Sequence, residues 1–363
     1  MILTTDRYFP WDGTNTEKPD RIWGDLNEET GIPFLVYCES DREITGAEVI
    51  RPKISVKFVY YFLSILFKSW FFGYKKDKRL YLGKSPKNIV RKYLFKLITD
   101  RSLFKQLFRW HLAYSSLRCY LDKKELHMLI YHGEFNKWGI AVSWACRDAG
   151  VIPVAHQHGL YGPAYQQYRD LQKIRDFIAS ALLLVSQNQY DIFKNLPVKT
   201  YIAGSRRLTF NDQLNTSNLQ KEYDFLVIPS GDDDNYFQNE IKKSRYKINV
   251  KPHPHRMEGW NDDNIILVDG AIETLILKSK TVIATAGFSL IYAIKHRIPI
   301  ILLDCAASAG NRFIVKKDLP TGLEEAISTD KRLIIDELDY YYRESEKEEY
   351  LKILGEIYEL ETS

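Results

Sequence analysis

The chain has 363 residues, of which 45% are hydrophobic and 27% are charged. These values are typical of a folded protein with room for two domains, and they exclude a disordered or collagen-like chain. The four cysteines are scattered and form no CxxC pair, which argues against a disulfide framework or a zinc site and favours a reducing compartment. The polar first eleven residues lack the apolar core of a signal peptide, so we expect a cytoplasmic protein.

The net charge of +4 conceals a very uneven distribution of charge. Residues 51–110 contain 16 Lys or Arg and 2 Asp or Glu, a local excess of +14. A segment this basic predicts an anionic partner: a membrane surface, an acidic polysaccharide or nucleic acid. Its most apolar part, 54–73, includes Lys57 and Lys68, and both would be costly inside a bilayer. We therefore interpret 54–73 as a core helix or as a helix lying in a membrane interface.

In the first half of the chain, the patterns predict a turn-rich start followed by strands and helices. Residues 1–32 are polar and rich in Gly and Pro, and 89–97 and 103–117 have helical periodicity. A helix at 138–148 joins two strands, which makes a βαβ unit. The predicted strands of this half are 33–38, 126–131, 151–155, 182–186 and 201–204.

The second half shows regular alternation of strands and helices after a polar stretch, 206–222, which we interpret as a linker. Five strands at this spacing predict an open parallel sheet covered by helices. A charged amphipathic tail at 338–360 predicts one or two further helices. The predicted strands of this half are 225–229, 248–250, 265–268, 282–284 and 298–303.

Polar residues follow several of these strands, where parallel sheets bind phosphates. Lys251-Pro252-His253-Pro254 ends one strand, and Thr285-Ala286-Gly287-Phe288-Ser289 links the next strand to a helix. A lysine, a histidine and the N–H groups of a helix start are donors suited to a phosphate. The residues that we expect to hold a phosphorylated ligand are Ser230, Gly231, Lys251, His253, Pro254, Thr285, Gly287, Phe288 and Ser289.

Two polar segments of the first half supply candidates for a general base. His132-Gly133-Glu134 follows the strand 126–131, and His156-Gln157-His158-Gly159 follows the strand 151–155. Glu134 and His158 are the main candidates, with His132 as a third, because each of these side chains can accept a proton. The residues alone do not decide between them.

Metal and cofactor signatures are weak. The histidine pairs have no acidic neighbour in sequence, and the chain contains neither GxxxxGK[ST] nor GxGxxG. We interpret Asp232-Asp233-Asp234 as a solvated helix start and not as a metal-binding DxD motif. We therefore expect no bound metal and no cofactor.

The two sets of strands, with polar loops at their ends, resemble the GT-B glycosyltransferases, and in particular bacterial transferases of capsule, lipopolysaccharide and teichoic-acid assembly. In members that use CMP-sugars, a His-Pro motif and a helix start containing Ser hold the nucleotide phosphate, which matches His253-Pro254 and Ser289. Where these families carry paired acidic residues before a glycine, this chain has His132-Gly133-Glu134. Polyol-phosphate transferases of similar layout use a His-Gly pair, which His132-Gly133 or His158-Gly159 matches.

This resemblance implies an α/β GT-B fold, with two Rossmann-like domains facing across a cleft and a basic helical insertion in the first. The expected divisions are an acceptor domain (1–205, with the basic region 51–121), a linker (206–222), a donor domain (223–335) and a C-terminal helix (336–363).

The implied activity is inverting, metal-independent transfer of a sugar from a nucleotide-sugar donor to a glycan or lipid-linked glycan of the bacterial surface. A CMP-activated acidic sugar of the Kdo or sialic acid type is the favoured donor. Residues 51–110 would then touch the anionic inner face of the cytoplasmic membrane, with no nucleic acid as partner. The alternatives are a UDP-hexose or polyol-phosphate transferase, a UDP-sugar 2-epimerase-like enzyme, and a non-catalytic membrane or anion binder.

Overall fold

The fold is an α/β arrangement in which helices connect parallel strands. The computed structural model describes residues 1–5, 23, 25–40, 44, 47–52, 101–132, 137–157, 159–162, 179–206, 220–230, 233–252, 258–307, 312–314, 316 and 318–363. The helices predicted at 54–73 and 89–97 lie outside these ranges.

The first sheet has seven strands in the order β3-β2-β1-β4-β5-β6-β7. The pairs β1–β2, β2–β3, β1–β4, β4–β5 and β6–β7 are parallel. The strands are β1 (Ile2–Thr5), β2 (Phe34–Tyr37), β3 (Glu48–Ile50), β4 (Met128–Tyr131), β5 (Ile152–His156), β6 (Ala181–Leu184) and β7 (Lys199–Ile202).

The second sheet has five parallel strands in the order β10-β9-β8-β11-β12. The strands are β8 (Tyr223–Val227), β9 (Ile248–Val250), β10 (Ile265–Leu267), β11 (Ser279–Ala284) and β12 (Ile300–Leu302).

The helices of the described residues lie between these strands and at the C-terminus. They are α1 (Leu26–Thr30), α2 (Arg101–Leu121), α3 (Lys137–Asp148), α4 (Gln187–Phe193), α5 (Asp234–Lys243), α6 (Ile272–Leu277), α7 (Ser289–Lys295), α8 (Leu323–Ser328), α9 (Leu338–Tyr341) and α10 (Lys347–Thr362). Within the described ranges, none of these helices combines the length and the apolar character needed to cross a membrane.

Both faces of the second sheet are buried around its central strands β8 and β11, as is usual for parallel sheets. Successive residues of one strand point to opposite faces, and the core divides accordingly. Leu226 and Val282 pack in one hydrophobic cluster, whereas their neighbours Val227 and Ile283 pack in another. All four side chains are fully buried. This two-sided burial explains why the last residues of β8 and β11 are apolar.

Each sheet contains one point at which the chain reverses the direction in which it adds strands. In the first sheet the chain adds β2 and β3 on one side of β1 and then returns to place β4 on the other side. In the second sheet it adds β9 and β10 beside β8 and then returns to place β11 on the other side. Ligands of open α/β sheets bind outside the carboxyl ends of the strands at such switch points. We therefore expect a site at the carboxyl ends of β1 and β4, or of β8 and β11; we call these ends the β1/β4 edge and the β8/β11 edge.

Residue contacts divide the chain into two compact units, each of which is made of several separate segments of the sequence. One unit comprises Met1–Thr16, Pro33–Ala155 and Ile174–Ser180, and the other comprises Glu17–Ile32, His156–Lys173 and Ala181–Ser363. Strands β6 and β7 thus group with the second sheet in this division. The expected domain boundaries, and the cleft between domains, remain predictions.

The expected α/β class with two Rossmann-like parallel sheets is confirmed. Three elements were missed in the first fifty residues: β1, β3 and α1. β1 is only four residues long and is buried on both faces, so it shows no alternation of polar and apolar side chains. α1 spans five residues, fewer than two helical turns, and is too short to show a helical period.

Gly204 allows a close approach of two backbone segments just after β7. Its φ is +71°, and a Cβ there would lie 2.7 Å from the Glu344 carbonyl carbon and 2.7 Å from the Ser345 nitrogen. Gly31 has the same φ of +71° and belongs to the same compact unit, but a Cβ on Gly31 would meet nothing within 4 Å.

We expect Gly204→Ala to destabilise the fold more than Gly31→Ala does. Both changes incur about 1–2 kcal/mol of left-handed strain, and Gly204→Ala adds about 1–3 kcal/mol because the backbones must separate. Urea unfolding monitored by circular dichroism measures the difference. Equal losses for the two variants would show that the backbones beside Gly204 can separate without a cost in stability.

Candidate functional site

At the switch point of the second sheet, Asp233 joins the loop that follows β8 to the loop that follows β11. The Ser230 backbone N–H donates to Asp233 Oδ1 at 2.7 Å, and the Thr285 hydroxyl donates to Asp233 Oδ2. Asp233 is 1% exposed and Thr285 is fully buried. One carboxylate therefore sets the spacing of the two loops at the edge where a ligand is expected.

The strand ends beside Asp233 are held together by their own backbone. Ile228 N–H donates to Ile283 O at 3.0 Å, which continues the β8–β11 ladder to the carboxyl edge. Lys251 N–H donates to Val227 O at 3.0 Å, so Lys251 lies directly beside the end of β8. The predicted residues Ser230, Lys251 and Thr285 are thus neighbours along one sheet edge.

Ser230 presents an unsatisfied hydroxyl at this edge. Its Oγ is buried and has no hydrogen-bond partner within the described part of the chain. A buried hydroxyl without a partner costs about 1–3 kcal/mol. A ligand group that bonded to this oxygen would remove that cost.

The Lys251 ammonium contacts an exposed carboxylate that follows the neighbouring strand, β10. Lys251 Nζ lies 2.5 Å from Asp269 Oδ1, and the Asp269 side chain is 99% exposed. The hydrogen bond from Lys251, with a smaller contribution from the Gly270 backbone, lowers the pKa of the Asp269 carboxyl. Because exposed ion pairs are worth little, a phosphate with two negative charges would compete well for this ammonium.

The loop after β11 ends in the start of α7. Gly287 has a φ of +110°, a conformation that side-chain-bearing residues rarely adopt. Ser289 is the first residue of α7, and Phe288 packs partly buried against Tyr292 and Tyr342 at 6.3 Å between ring centroids. Gly287 and Ser289 are partly exposed, so this turn remains accessible to a ligand.

Further charged side chains follow β12, the outermost strand of the sheet next to β11. Arg312 pairs with Asp304 at 2.8 Å and also donates to the Cys305 carbonyl at 3.3 Å. Burial raises the pKa of Tyr236, and the nearby carboxylates Glu240, Asp304 and Asp233 raise it further. The edge thus combines the cations Lys251 and Arg312 with several carboxylates.

The solvated helix start expected at Asp232–Asp234 is wrong for the two aspartates that are described. Asp233 and Asp234 are 1% and 3% exposed, although α5 does begin at Asp234. Sequence reasoning took three successive aspartates for a surface feature because such runs are usually solvated. Within the described residues, no group of three or more His, Cys, Asp or Glu side chains is arranged to hold a metal ion.

Five predicted site residues lie outside the described residues: Glu134, His158, Gly231, His253 and Pro254. The remaining seven are described. His132 follows β4 in the first sheet, and the other six, Ser230, Lys251, Thr285, Gly287, Phe288 and Ser289, lie at the carboxyl edge of the second sheet.

His132 marks the switch point of the first sheet. The register pairs Leu3 of β1 with Tyr131 of β4, so His132 lies beside the end of β1. His132 is 5% exposed. Two buried polar atoms near this edge, Thr5 Oγ1 and Trp138 Nε1, have no hydrogen-bond partner in the ranges that the structure describes. The edge therefore has unsatisfied capacity to bind polar groups.

The segment after β5 is anchored by buried amides that sequence reasoning missed. Gln157 Nε2 donates to Gln189 Oε1, and Gln157 Oε1 accepts from Val185 N–H at 3.1 Å. Gln189 also exchanges two hydrogen bonds with the Tyr161 backbone, at 3.0 and 3.1 Å. Gln189 is fully buried. The spacing Ser186-x-x-Gln189 resembles a capping box and could have located the start of α4, since Ser186 caps it.

This anchoring extends to the second sheet. The next amide, Asn188, receives a hydrogen bond from Gln189 at 2.8 Å and donates to the Phe313 carbonyl at 3.3 Å, in the loop after β12. Leu160 packs in the same hydrophobic cluster as Leu290 of α7. The residues on both sides of His158 are thus fixed to the structure that carries Lys251 and Ser289.

His156 lies in an aromatic environment next to this segment. It is 3% exposed and contacts Trp23 at 5.1 Å and Tyr350 of α10 at 5.9 Å between ring centroids. Burial raises the pKa of the Tyr350 hydroxyl. Helix α10 therefore packs against the end of β5 and supports the segment that follows.

No protein-family model and no curated protein matches the chain. Among solved structures, the chain is similar to the glycosyltransferase SnogD from Streptomyces nogalater, with 9% identity, 98% of both chains covered and a TM-score of 0.42. It is also similar to MurG from Acinetobacter baumannii, with 8% identity, 98% of both chains covered and a TM-score of 0.47. Since both TM-scores are below 0.5, neither likeness adds to the functional assignment.

We expect Gln189→Ala to destabilise the protein by about 2–4 kcal/mol, because it removes one hydrogen bond of the Gln157 amide and two of the Tyr161 backbone in a buried place. Gln187→Ala, at an exposed position of the same helix, is the matched control and should change stability by less than about 0.5 kcal/mol. Urea unfolding of both variants measures this. Similar stabilities would contradict the structural role of the amide network.

Proposed function

We propose that the protein is a glycosyltransferase of the GT-B type that takes a sugar from a nucleotide-activated donor. The observation that supports this best is the β8/β11 switch point of the second sheet. There Ser230, Lys251 and the Gly287–Ser289 turn lie along one edge, where open α/β sheets bind phosphorylated ligands.

The donor's phosphate would bind to the Lys251 side of this edge. Lys251 supplies a cation, and the turn before α7 supplies backbone N–H groups, and both favour the leaving phosphate as the sugar bond breaks. The buried Asp233 repels a phosphate that comes close, so the hydroxyl of Ser230 is better suited to a neutral polar part of the donor. His253 and Pro254 of the adjoining motif complete the proposed donor site.

The acceptor hydroxyl needs a base, and His158 and Glu134 are the candidates. The anchoring of Gln157 and Leu160 to the unit that carries Lys251 favours His158. A single base with in-line attack leads to inversion at the anomeric carbon, and no step of this scheme requires a metal.

We further propose a CMP-activated acidic sugar as donor and a bacterial surface glycan, free or lipid-linked, as acceptor. The His253-Pro254 motif and Ser289 support the nucleotide choice through their resemblance to CMP-sugar transferases. The basic segment 51–110 supports an acceptor at an anionic membrane surface on the cytoplasmic side. UDP-hexose or polyol-phosphate transfer, epimerisation and non-catalytic anion binding are the outcomes against which this proposal is tested.

We expect CMP to raise the melting temperature of the protein, with or without Mg²⁺, more than CDP, UDP or GDP at equal concentration. Lys251→Met should weaken CMP binding about tenfold by removing one charge-assisted contact. Lys280→Met, which removes a lysine that also pairs with an aspartate in the same sheet, should leave binding unchanged.

The other outcomes of this nucleotide panel are equally informative. Stabilisation by UDP alone would point to a hexosyltransferase or an epimerase. Stabilisation that requires Mg²⁺ would contradict the metal-independent mechanism. If no nucleotide stabilises the protein, the transferase proposal is contradicted, and non-catalytic anion binding is the remaining alternative.

We expect His158→Ala to reduce turnover at least a hundredfold while CMP binding is retained, because a general base contributes about 10²–10⁴ to the rate. Glu134→Gln tests the other candidate in the same assay. His127→Ala and Glu125→Gln, at exposed positions before β4, are the matched controls. If both His158→Ala and Glu134→Gln retain full turnover, the base assignment is wrong.

A further inference from the structure

We infer that Asp233 is a positioning residue that holds the two switch-point loops of the second sheet in the arrangement that binds the donor. This inference rests on the proposed function for the identity of the ligand. The hydrogen bonds that define Asp233 as the link between the two loops do not depend on that function.

The position of Asp233 makes its hydrogen bonds unusual. It is the N-cap residue of α5, a place where an aspartate ordinarily accepts hydrogen bonds from the first N–H groups of its own helix. Asp233 makes no such side-chain cap and has a φ of −111° and a ψ of 11°. Its carboxylate instead accepts from the Ser230 N–H and from the Thr285 hydroxyl.

The two partners of Asp233 are 55 residues apart in sequence and come from adjacent strands. Ser230 follows β8 and Thr285 follows β11, the two strands at the switch point. Both hydrogen bonds are to a charged acceptor shielded from water, which makes them stronger than surface hydrogen bonds. Asp233 therefore couples the position of one loop to that of the other.

The coupling of the two loops by Asp233 fixes the groups that we propose to face the ligand. The bond to Ser230 N–H fixes the residue whose Oγ is buried without a partner in the described ranges. The bond to Thr285 fixes the start of the turn that leads through Gly287 to Ser289. Because the Thr285 hydroxyl hydrogen is donated to Asp233, Thr285 acts through position and does not donate to the phosphate itself.

The test compares variants that change the hydrogen bond between Thr285 and Asp233, either at its donor or at its acceptor. Thr285→Val keeps the shape of the side chain and removes its hydroxyl, Thr285→Ser restores the hydroxyl, and Asp233→Asn replaces the charged acceptor with a neutral amide. The matched controls are Thr281→Val, at a buried position of β11, the strand that precedes Thr285, and Asp224→Asn on β8. Circular dichroism and the melting temperature establish that each variant folds.

Two measurements are made on each variant: the dissociation constant for CMP and the hydrogen exchange of the ligand-free loops. We expect Thr285→Val and Asp233→Asn each to weaken CMP binding about tenfold, and the double variant to be no weaker than either single variant, because both remove one link. Thr285→Ser should bind within about threefold of the original protein. Thr285→Val should also speed exchange of the Ile228 and Ser230 amides, which lie on the other side of the link.

Three results would overturn the inference. Unchanged exchange of the Ile228 and Ser230 amides in Thr285→Val would show that the loops are not coupled. Faster exchange with unchanged CMP affinity would show that the link stabilises the fold only. Equal effects of Thr281→Val would show that the loss of any buried threonine hydroxyl on or just after β11 acts in the same way.

The proposed function can fail separately. If the unmodified protein binds none of the nucleotides, the proposed donor is wrong, and so is the proposal that Asp233 supports donor binding. The exchange measurement then decides alone whether Asp233 couples the two loops.

Discussion

The carboxylate of Asp233 is the constraint on which the candidate site depends. The strands β8 and β11 are fixed by their ladder, but the loops beyond them extend past the last backbone hydrogen bond between the strands. Asp233 supplies the connection there, by accepting one hydrogen bond from each loop in a buried place. A buried carboxylate destabilises the fold unless it is hydrogen-bonded. Arrangements of the two loops that break the hydrogen bonds of Asp233 are therefore disfavoured, and the observed arrangement is specific.

The amide network around Gln189 extends this order to the segment after β5. Amides can donate and accept at once, and Gln189 uses this to satisfy Gln157, Asn188 and the Tyr161 backbone together. The segment beside His158 is therefore fixed by polar contacts on one side and by Leu160 in the hydrophobic core on the other. Rigid support of this kind is what a general base needs, because proton transfer depends on distance.

The sequence predicted the main frame of the fold because that frame has strong local signals. The apolar runs at β2, β4 and β12 are followed by polar residues, and burial of both faces explains their composition. β1 was missed because a four-residue strand in a polar, turn-rich region shows no period. The candidate donor residues could be proposed because polar residues at the ends of parallel strands meet at one edge, and Ser230, Lys251 and Thr285 do lie there.

What could not be predicted are the contacts between residues that are far apart in sequence. Asp233 looked like one of three solvated aspartates, since nothing local shows that Thr285 will lie within hydrogen-bond distance. Gln189 looked like an ordinary helix residue for the same reason. The roles of Glu134, His158 and His253 remain predictions from sequence.

A crystal structure of the protein with CMP bound would test both the donor site and the role of Asp233. We expect the phosphate within hydrogen-bond distance of Lys251 and of the turn at Gly287–Ser289, with the Asp233 bonds to Ser230 and Thr285 intact. CMP bound away from the β8/β11 edge, or bound there with Asp233 separated from Thr285, would contradict this expectation.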